Sequence, residues 1–159
     1  MERSRNTLIL MLAIFLLLVS LPVAAVERPL ALHGAGKLTM VSPTEGDLVA
    51  AGTATPLGHW TQVGKINITL DGPPEMGDAL PATGEVTFTA AKGDTLHATF
   101  DAVLTITTTK PLTGIATGVL VLDRGTGRFD GVSGNGNFVV MQNLDTGYYE
   151  LTGVGTIDY

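Results

Sequence analysis

Residues 95–106 read TLHATFDAVLTI, and this stretch decides the fold class. Its apolar side chains fall on every second position, from Leu96 through Phe100 to Ile106, and the positions between them are mostly polar. A period of two is the pattern of a β-strand with one face buried and the other face in water. The stretch therefore predicts an antiparallel sheet with one face on the core.

The same alternation recurs along the rest of the chain. Every even position of residues 86–90 and of residues 66–70 is apolar, and odd positions carry mainly polar side chains. All 20 glycines come after residue 25, where they separate short runs rich in threonine and valine. No segment after residue 25 keeps a helical period over three turns. The candidate strands are 36–41, 48–55, 61–70, 83–90, 95–108, 113–122, 134–142 and 147–157.

About eight strands without a covering helix leave two architectures, a closed barrel or a two-sheet sandwich. Closure removes the unpaired strand edges, which matters in a chain with few charged residues to protect them. One face of residues 113–122 changes from small side chains at Gly114 to a larger one at Leu120, as the interior of a tapering barrel requires. We therefore expect an all-β fold, an eight-stranded antiparallel β-barrel, formed as a single domain by residues 26–159.

Residues 1–25 have the features of a signal peptide, including a helical apolar segment. Arg3 and Arg5 precede an apolar run over residues 8–19, and Val23, Ala24 and Ala25 provide the small residues of a cleavage site. The chain has no cysteine for lipid attachment, and the two arginines are not adjacent. The general secretory pathway is therefore expected, with a secreted or periplasmic product that leaves the membrane after cleavage. An uncleaved membrane anchor is the alternative, because residues 8–26 approach the length of a spanning helix.

Charge and cysteine content narrow the possible partners. The chain has 9 Lys and Arg against 15 Asp and Glu, a net charge of −6. Without Glu2, Arg3 and Arg5 of the leader, 7 basic and 14 acidic residues remain, a net charge of −7. Such an acidic domain is a poor partner for nucleic acid or an anionic membrane. Because the domain has no disulfide, burial and backbone pairing must stabilise it.

The most distinctive motif is DRGTGRFDGVSGNGNF, residues 123–138. It is interpreted as a structural turn, in which Gly125, Gly127, Gly131 and Gly134 surround Phe129 and permit tight turns and positive φ. The spacing of these glycines does not match a dinucleotide-binding fingerprint, and no βαβ unit surrounds them. No cofactor is therefore expected.

This motif resembles the GTGxF-type glycine motif of dirigent proteins. The chain also resembles uncharacterised secreted bacterial proteins that are related in shape to the allene oxide cyclase and dirigent-like barrels. The segments that carry this resemblance are, in order, TATPLGHWT, GEVTFTAAKGDTLHATF, GTGRFDGVSGNG and GTIDY. The resemblance covers residues 48–159 and implies an eight-stranded antiparallel barrel. It does not carry an activity over, because dirigent proteins have an arginine after the motif's phenylalanine, whereas this chain has Asp130 there and Arg128 before it.

No catalytic or metal-binding residues are predicted. The three histidines have no metal-ligand spacing, and the alternation places His97 and Asp101 on the wet face of their strand as a solvent-exposed pair. After residue 25 the only serines are Ser42 and Ser133, and neither lies in a nucleophile motif. The ligand-binding candidates are His59 and Trp60, which would form part of a cavity mouth, together with Arg128.

Two functions remain open at the level of sequence. The first is non-catalytic binding of a small apolar molecule or of a protein partner by an exported barrel. The alternative is a cyclase- or dirigent-type barrel that acts on a small hydrophobic substrate held in its cavity. The amino-acid sequence does not indicate an oligomeric state.

Overall fold

The computed structural model describes residues 26–159, and the leader predicted for residues 1–25 lies outside this range. The described chain forms eight β-strands and one short turn of 3₁₀-helix, Gly127–Phe129. The eight candidate strands are all present, although the first begins at Arg28, eight residues before its predicted start. The strands are β1 Arg28–Met40, β2 Glu45–Thr55, β3 Gly58–Ile68, β4 Ala79–Ala90, β5 Thr95–Thr109, β6 Leu112–Gly125, β7 Ser133–Asn143 and β8 Tyr148–Asp158.

The sheet closes into a barrel. Each strand pairs antiparallel with the next, and β1 pairs with β8 from Arg28 opposite Ile157 to Lys37 opposite Tyr148. This confirms the all-β class and the closed eight-stranded antiparallel barrel over the sandwich. The described residues contain no helix long and apolar enough to cross a membrane.

The inward and outward faces follow the alternation read from the sequence. In β5 the even-numbered side chains from Leu96 to Ile106 are buried or half-buried, and their odd-numbered neighbours face outward. In β6 the inward face runs from Gly114 to Leu120, as expected. Because the interior of a barrel of eight strands is narrow, so that side chains fill it or it holds one small ligand, inward residues must fit their neighbours in size.

Large aromatic rings fit into this interior because glycines face them. A β-carbon on Gly84 would lie 2.5 Å from Cζ of Phe100, and one on Gly118 would lie 2.8 Å from Cζ of Phe138. The Phe100 and Phe138 rings in turn meet edge to face, with centroids 5.9 Å apart. The high glycine content therefore provides space inside the barrel as well as turns between strands.

One end of the barrel, which we call the Phe129 end, is filled with side chains. It includes both ends of the described chain and the connections at 56–57, 91–94 and 126–132. Phe129 is fully buried there, and its ring meets that of Tyr159 edge to face at 5.0 Å. The connection that carries it uses positive φ at Gly127, 64°, and at Gly131, 74°. A β-carbon on Gly127 would also overlap the carboxylate of Asp94.

The opposite end, the Tyr149 end, carries the connections at 41–44, 69–78, 110–111 and 144–147. Buried apolar side chains near this end, such as Ile68, Leu104 and Ile106, are not part of the main hydrophobic cluster. The core is therefore continuous at the Phe129 end and interrupted towards the Tyr149 end.

The match between glycines and rings predicts the effect of an added methyl group. Gly84→Ala should lower the free energy of unfolding by about 1–3 kcal/mol, because the new β-carbon meets the Phe100 ring and the Lys65 carbonyl oxygen. Gly72→Ala is the control, since nothing lies within 4 Å of the position of its β-carbon, and its effect should stay within about 0.5 kcal/mol. Equal denaturation midpoints for the two variants would contradict the proposed packing.

Candidate functional site

The interruption of the core is a cavity of about 80 Å³ inside the barrel. By order of magnitude such a space holds several water molecules or one molecule of a few heavy atoms. Several side chains that line it, including Ile66, Ala102, Ala116 and Val140, are only half-buried although they point inward. Most of the lining is aliphatic or aromatic, and its polar members are Gln62, Gln142 and Tyr149.

The strand alternation places these three polar side chains inside the barrel. Gln62 follows Trp60 on the inward face of β3, and Gln142 ends the inward face of β7. Tyr149 lies on β8 directly opposite Gln142. Their exposed fractions are 5% for Gln62, 8% for Gln142 and 4% for Tyr149, so all three are more than nine-tenths buried.

Each of these side chains has a buried polar atom without a hydrogen-bond partner among residues 26–159. The atoms are Oε1 of Gln62, Nε2 of Gln142 and the hydroxyl oxygen of Tyr149. Leaving one such group unpaired costs about 1–3 kcal/mol. Nε1 of Trp60 is also unpaired in the described chain, but Trp60 does not line the cavity. The cavity is therefore lined by three polar side chains, each of which has one unpaired polar atom.

Burial strengthens the preference of Tyr149 for its protonated form. Desolvation raises the pKa of its hydroxyl to about 12. The group therefore stays protonated at physiological pH and can donate a hydrogen bond. Its ring lies against β1, where a β-carbon on Gly36 would come within 2.8 Å of Cζ of Tyr149. Gly36 thus provides the space in which the phenol sits.

The ligand-binding candidates from the sequence lie towards the Phe129 end and do not line the cavity. His59 is exposed, and Trp60 is buried with its ring 5.2 Å from that of Phe88. Arg128 donates from Nη2 to the Leu57 carbonyl oxygen at 3.0 Å, and its Nε lies 3.3 Å from the Asp94 carboxylate. These contacts give Arg128 a role in joining three connections. A ligand-binding role for the three residues stays a prediction.

Sequence reasoning missed Gln62, Gln142 and Tyr149, although a signal for the first two was present. Gln62 has the same parity as Trp60 and Ile66, and Gln142 has the same parity as Phe138. Continuing the alternation through the predicted strands 61–70 and 134–142 would have placed both amides inside. The signal for Tyr149 was weaker, because two tyrosines are adjacent and only the register shows which of them points inward.

A second polar cluster lies on the outer wall around His97. The alternation placed His97 and Asp101 on the outer face of β5 without a contact between them, and Nδ1 of His97 donates to the Asp123 carboxylate at 2.6 Å. Nε2 accepts from Arg124 at 2.9 Å and lies 3.4 Å from the Glu85 carboxylate. The His97 side chain is only 13% exposed, so the prediction of a solvent-exposed His97 is wrong, whereas Asp101 is exposed as predicted.

A β-bulge assembles this cluster. Opposite β5, the register passes from Leu122 to Arg124 and leaves Asp123 as the extra residue. A bulge turns two successive side chains towards the same face, so that Asp123 and Arg124 both reach His97. No three His, Asp or Glu side chains within residues 26–159 are placed to hold a metal ion.

No family model, curated protein or solved structure matches the chain.

The cluster predicts a pKa that can be measured. The hydrogen bond from His97 is the main cause of a pKa of Asp123 below its ordinary 3.8. This lowered pKa stabilises the folded state at pH values above 3.8. The stabilisation is lost as the pH falls through the lower pKa of Asp123 in the folded protein. In an NMR titration of the Asp123 carboxyl, His97→Phe should raise the pKa towards 3.8. His33→Phe, on β1 and outside the cluster, should leave it unchanged, and an unchanged pKa in His97→Phe would contradict the assignment.

The unpaired polar atoms predict a stability change of unusual sign. Gln62→Met should raise the free energy of unfolding of the ligand-free protein by about 1 kcal/mol, because it replaces an unpaired amide by an apolar chain of similar length. Asn67→Met, on the outer face of β3, is the control and should change it by less than about 0.5 kcal/mol. A clear loss of stability in Gln62→Met would show that the amide has partners in solution.

Proposed function

We propose that this protein is an exported β-barrel that binds a small, largely apolar molecule in the cavity, without chemical conversion. The observation that carries the proposal is the presence of three polar side chains with unpaired atoms, Gln62, Gln142 and Tyr149, in the lining of an otherwise apolar space. Binding sites for small molecules have this composition, with apolar walls and a few polar groups that orient the ligand.

Stability alone does not account for these residues. Three unpaired groups at about 1–3 kcal/mol each are a large share of the roughly 5–15 kcal/mol that stabilises a domain. Leucine or phenylalanine at the same positions would avoid this penalty, as the neighbouring inward positions show. A ligand that makes hydrogen bonds to these side chains would remove the penalty.

We extend the proposal to the finer fold class and to the route of export. The closed order of eight strands and the position of GTGRF at the β6–β7 connection support a relation to the allene oxide cyclase and dirigent-like barrels. The signal-peptide features of residues 1–25 support secretion or a periplasmic location, with a mature chain that starts at Val26.

The chemistry of the lining favours binding over a cyclase- or dirigent-type reaction. Tyr149 is the one lining side chain of residues 26–159 that titrates, and its pKa of about 12 makes it a hydrogen-bond donor at neutral pH rather than a base. Gln62 and Gln142 can orient a ligand but cannot exchange a proton with it. These groups support recognition of a ligand rather than proton transfer.

A protein partner is the weaker alternative. The outer wall of β6 and β7 has no charged side chain over residues 113–122 and 133–143, and Ile115, Val119 and Met141 are exposed on it. However, β-branched residues are frequent on exposed strand faces because of their strand propensity alone. The cavity has a feature that propensity does not explain, namely its unpaired polar atoms.

The proposal predicts a bound molecule in protein purified from its own host. Native mass spectrometry should show a mass above that of the mature chain, and the excess should disappear on denaturation. Tyr149→Phe should reduce the occupied fraction at limiting ligand, because the loss of one hydrogen bond weakens binding by about 2- to 10-fold. Tyr148→Phe is the matched control, since Tyr148 is exposed on the outer face.

Absence of a bound mass in protein from the host would overturn the proposed function. Equal occupancy in Tyr149→Phe and Tyr148→Phe would place the bound molecule elsewhere. The mass of the chain itself tests whether the leader is removed after Ala25.

A further inference from the structure

We infer that Ala102 and Ala116 set the size of the molecule that the cavity accepts, and that the part of this molecule inside the barrel is a compact alkyl group of a few carbon atoms. This inference rests on the proposed function and specifies the size and class of its ligand. It follows from the position of the free space in the cavity and from the side chains that surround this space.

The free space lies beside the two alanines. Ala102 on β5 and Ala116 on β6 point inward and line the cavity, yet both are only half-buried. Ala102 lies between the buried Phe100 and Leu104 on the inward face of β5, so its exposed surface faces the interior of the barrel. Ala98, on the same face and nearer the Phe129 end, is fully buried. Packing along β5 is therefore complete at Ala98 and incomplete at Ala102.

Large side chains that neighbour the two alanines lie over glycines and do not fill this space. The distances from their nearest ring or methyl carbon to the position of a β-carbon on the glycine are 2.5 Å for Phe100 over Gly84, 2.7 Å for Leu104 over Gly114 and 2.8 Å for Phe138 over Gly118. Each glycine thus accommodates one large side chain. Because these side chains occupy the room that the glycines leave, the room beside Ala102 and Ala116 stays open.

The volume and the wall of this space define the group that fits it. An apolar cavity of about 150 Å³ admits benzene or xenon, whereas the present cavity measures about 80 Å³ and has room for xenon or a short alkyl group. The wall around Ala102 carries no polar side chain, since Ala82 and Gly118 are its partners on the two neighbouring strands. A polar group buried against such a wall would lack a hydrogen-bond partner. The wall therefore favours an alkyl group.

The first test measures thermal stability after bound molecules have been dialysed away. Ala98→Val and Ala102→Val add the same two carbon atoms at two inward positions of β5. Ala98→Val should lower Tm by about 3–10 °C, because the added atoms enter a packed site. Ala102→Val should leave Tm within about 2 °C of the wild-type value, because its added atoms enter the cavity. Equal losses of Tm in the two variants would overturn the inference.

The second test uses xenon and benzene as apolar probes in NMR titrations of the dialysed protein. Xenon should shift the methyl signals of residues that line the cavity, such as Leu48 and Val140, and benzene should not. Ala116→Leu places three more carbon atoms in the cavity and should weaken xenon binding by at least about 10-fold. Thr117→Leu, on the outer face of β6, is the matched control and should keep the wild-type shifts.

Xenon shifts of full size in Ala116→Leu, or benzene binding as tight as that of xenon, would overturn the assigned size limit. Ala102→Val provides a second, smaller substitution that should also weaken xenon binding if the leucine variant does not fold.

The third test returns to protein purified from its host. Ala102→Val and Ala116→Leu should each lower the fraction of protein that carries the bound mass, whereas Thr117→Leu should not. An unchanged fraction in both cavity variants would overturn the role of the two alanines and leave the proposed function standing, since a molecule is still bound. Absence of a bound mass in the wild-type protein would instead overturn the proposed function, and the Tm values and xenon shifts would still test the position of the free space.

Discussion

The width of the closed barrel is the constraint on which the rest of this structure depends. Once β1 pairs with β8, the interior has a set diameter, and each inward side chain must share it with those on the other strands. Aromatic rings fit because inward glycines leave room for them, as Gly84 does for Phe100 and Gly36 does for Tyr149. The same closure also pairs the backbone of every strand on both sides, which stabilises a domain without disulfides.

The two ends of the barrel use this interior differently. At the Phe129 end, the buried Phe129 ring lies between Tyr159 and Arg128, whose guanidinium carbon is 4.6 Å from the ring centroid. Arg128 also joins this connection to Asp94 and to the backbone of Leu57. Towards the Tyr149 end, packing is incomplete and polar atoms are unpaired, so stability is lower there than an apolar core would allow.

Much of the fold was predictable because burial in a strand has a period of two. The inward faces of β4, β5 and β6 follow directly from alternation, and the small residues of β6 indicated a tapering interior. Alternation failed where the ladder is irregular. The bulge opposite His97 turns Asp123 and Arg124 to one face, and no pattern in the sequence marks that extra residue. The early part of β1 was missed because alanine and glycine there weaken the contrast between its two faces.

By itself, the sequence predicted an all-β fold of about eight strands, the inward faces of β3, β4, β5 and β6, and an acidic net charge. These properties depend on residue type and on local spacing, which a linear chain displays. Only the tertiary structure decided which side chains meet inside the barrel. Gln62 on β3 is distant in sequence from Gln142 and Tyr149 on β7 and β8, and the three side chains line one cavity only because the sheet closes. Whether a buried polar atom has a partner depends on its neighbours in space, and that information is absent from the spacing along a strand.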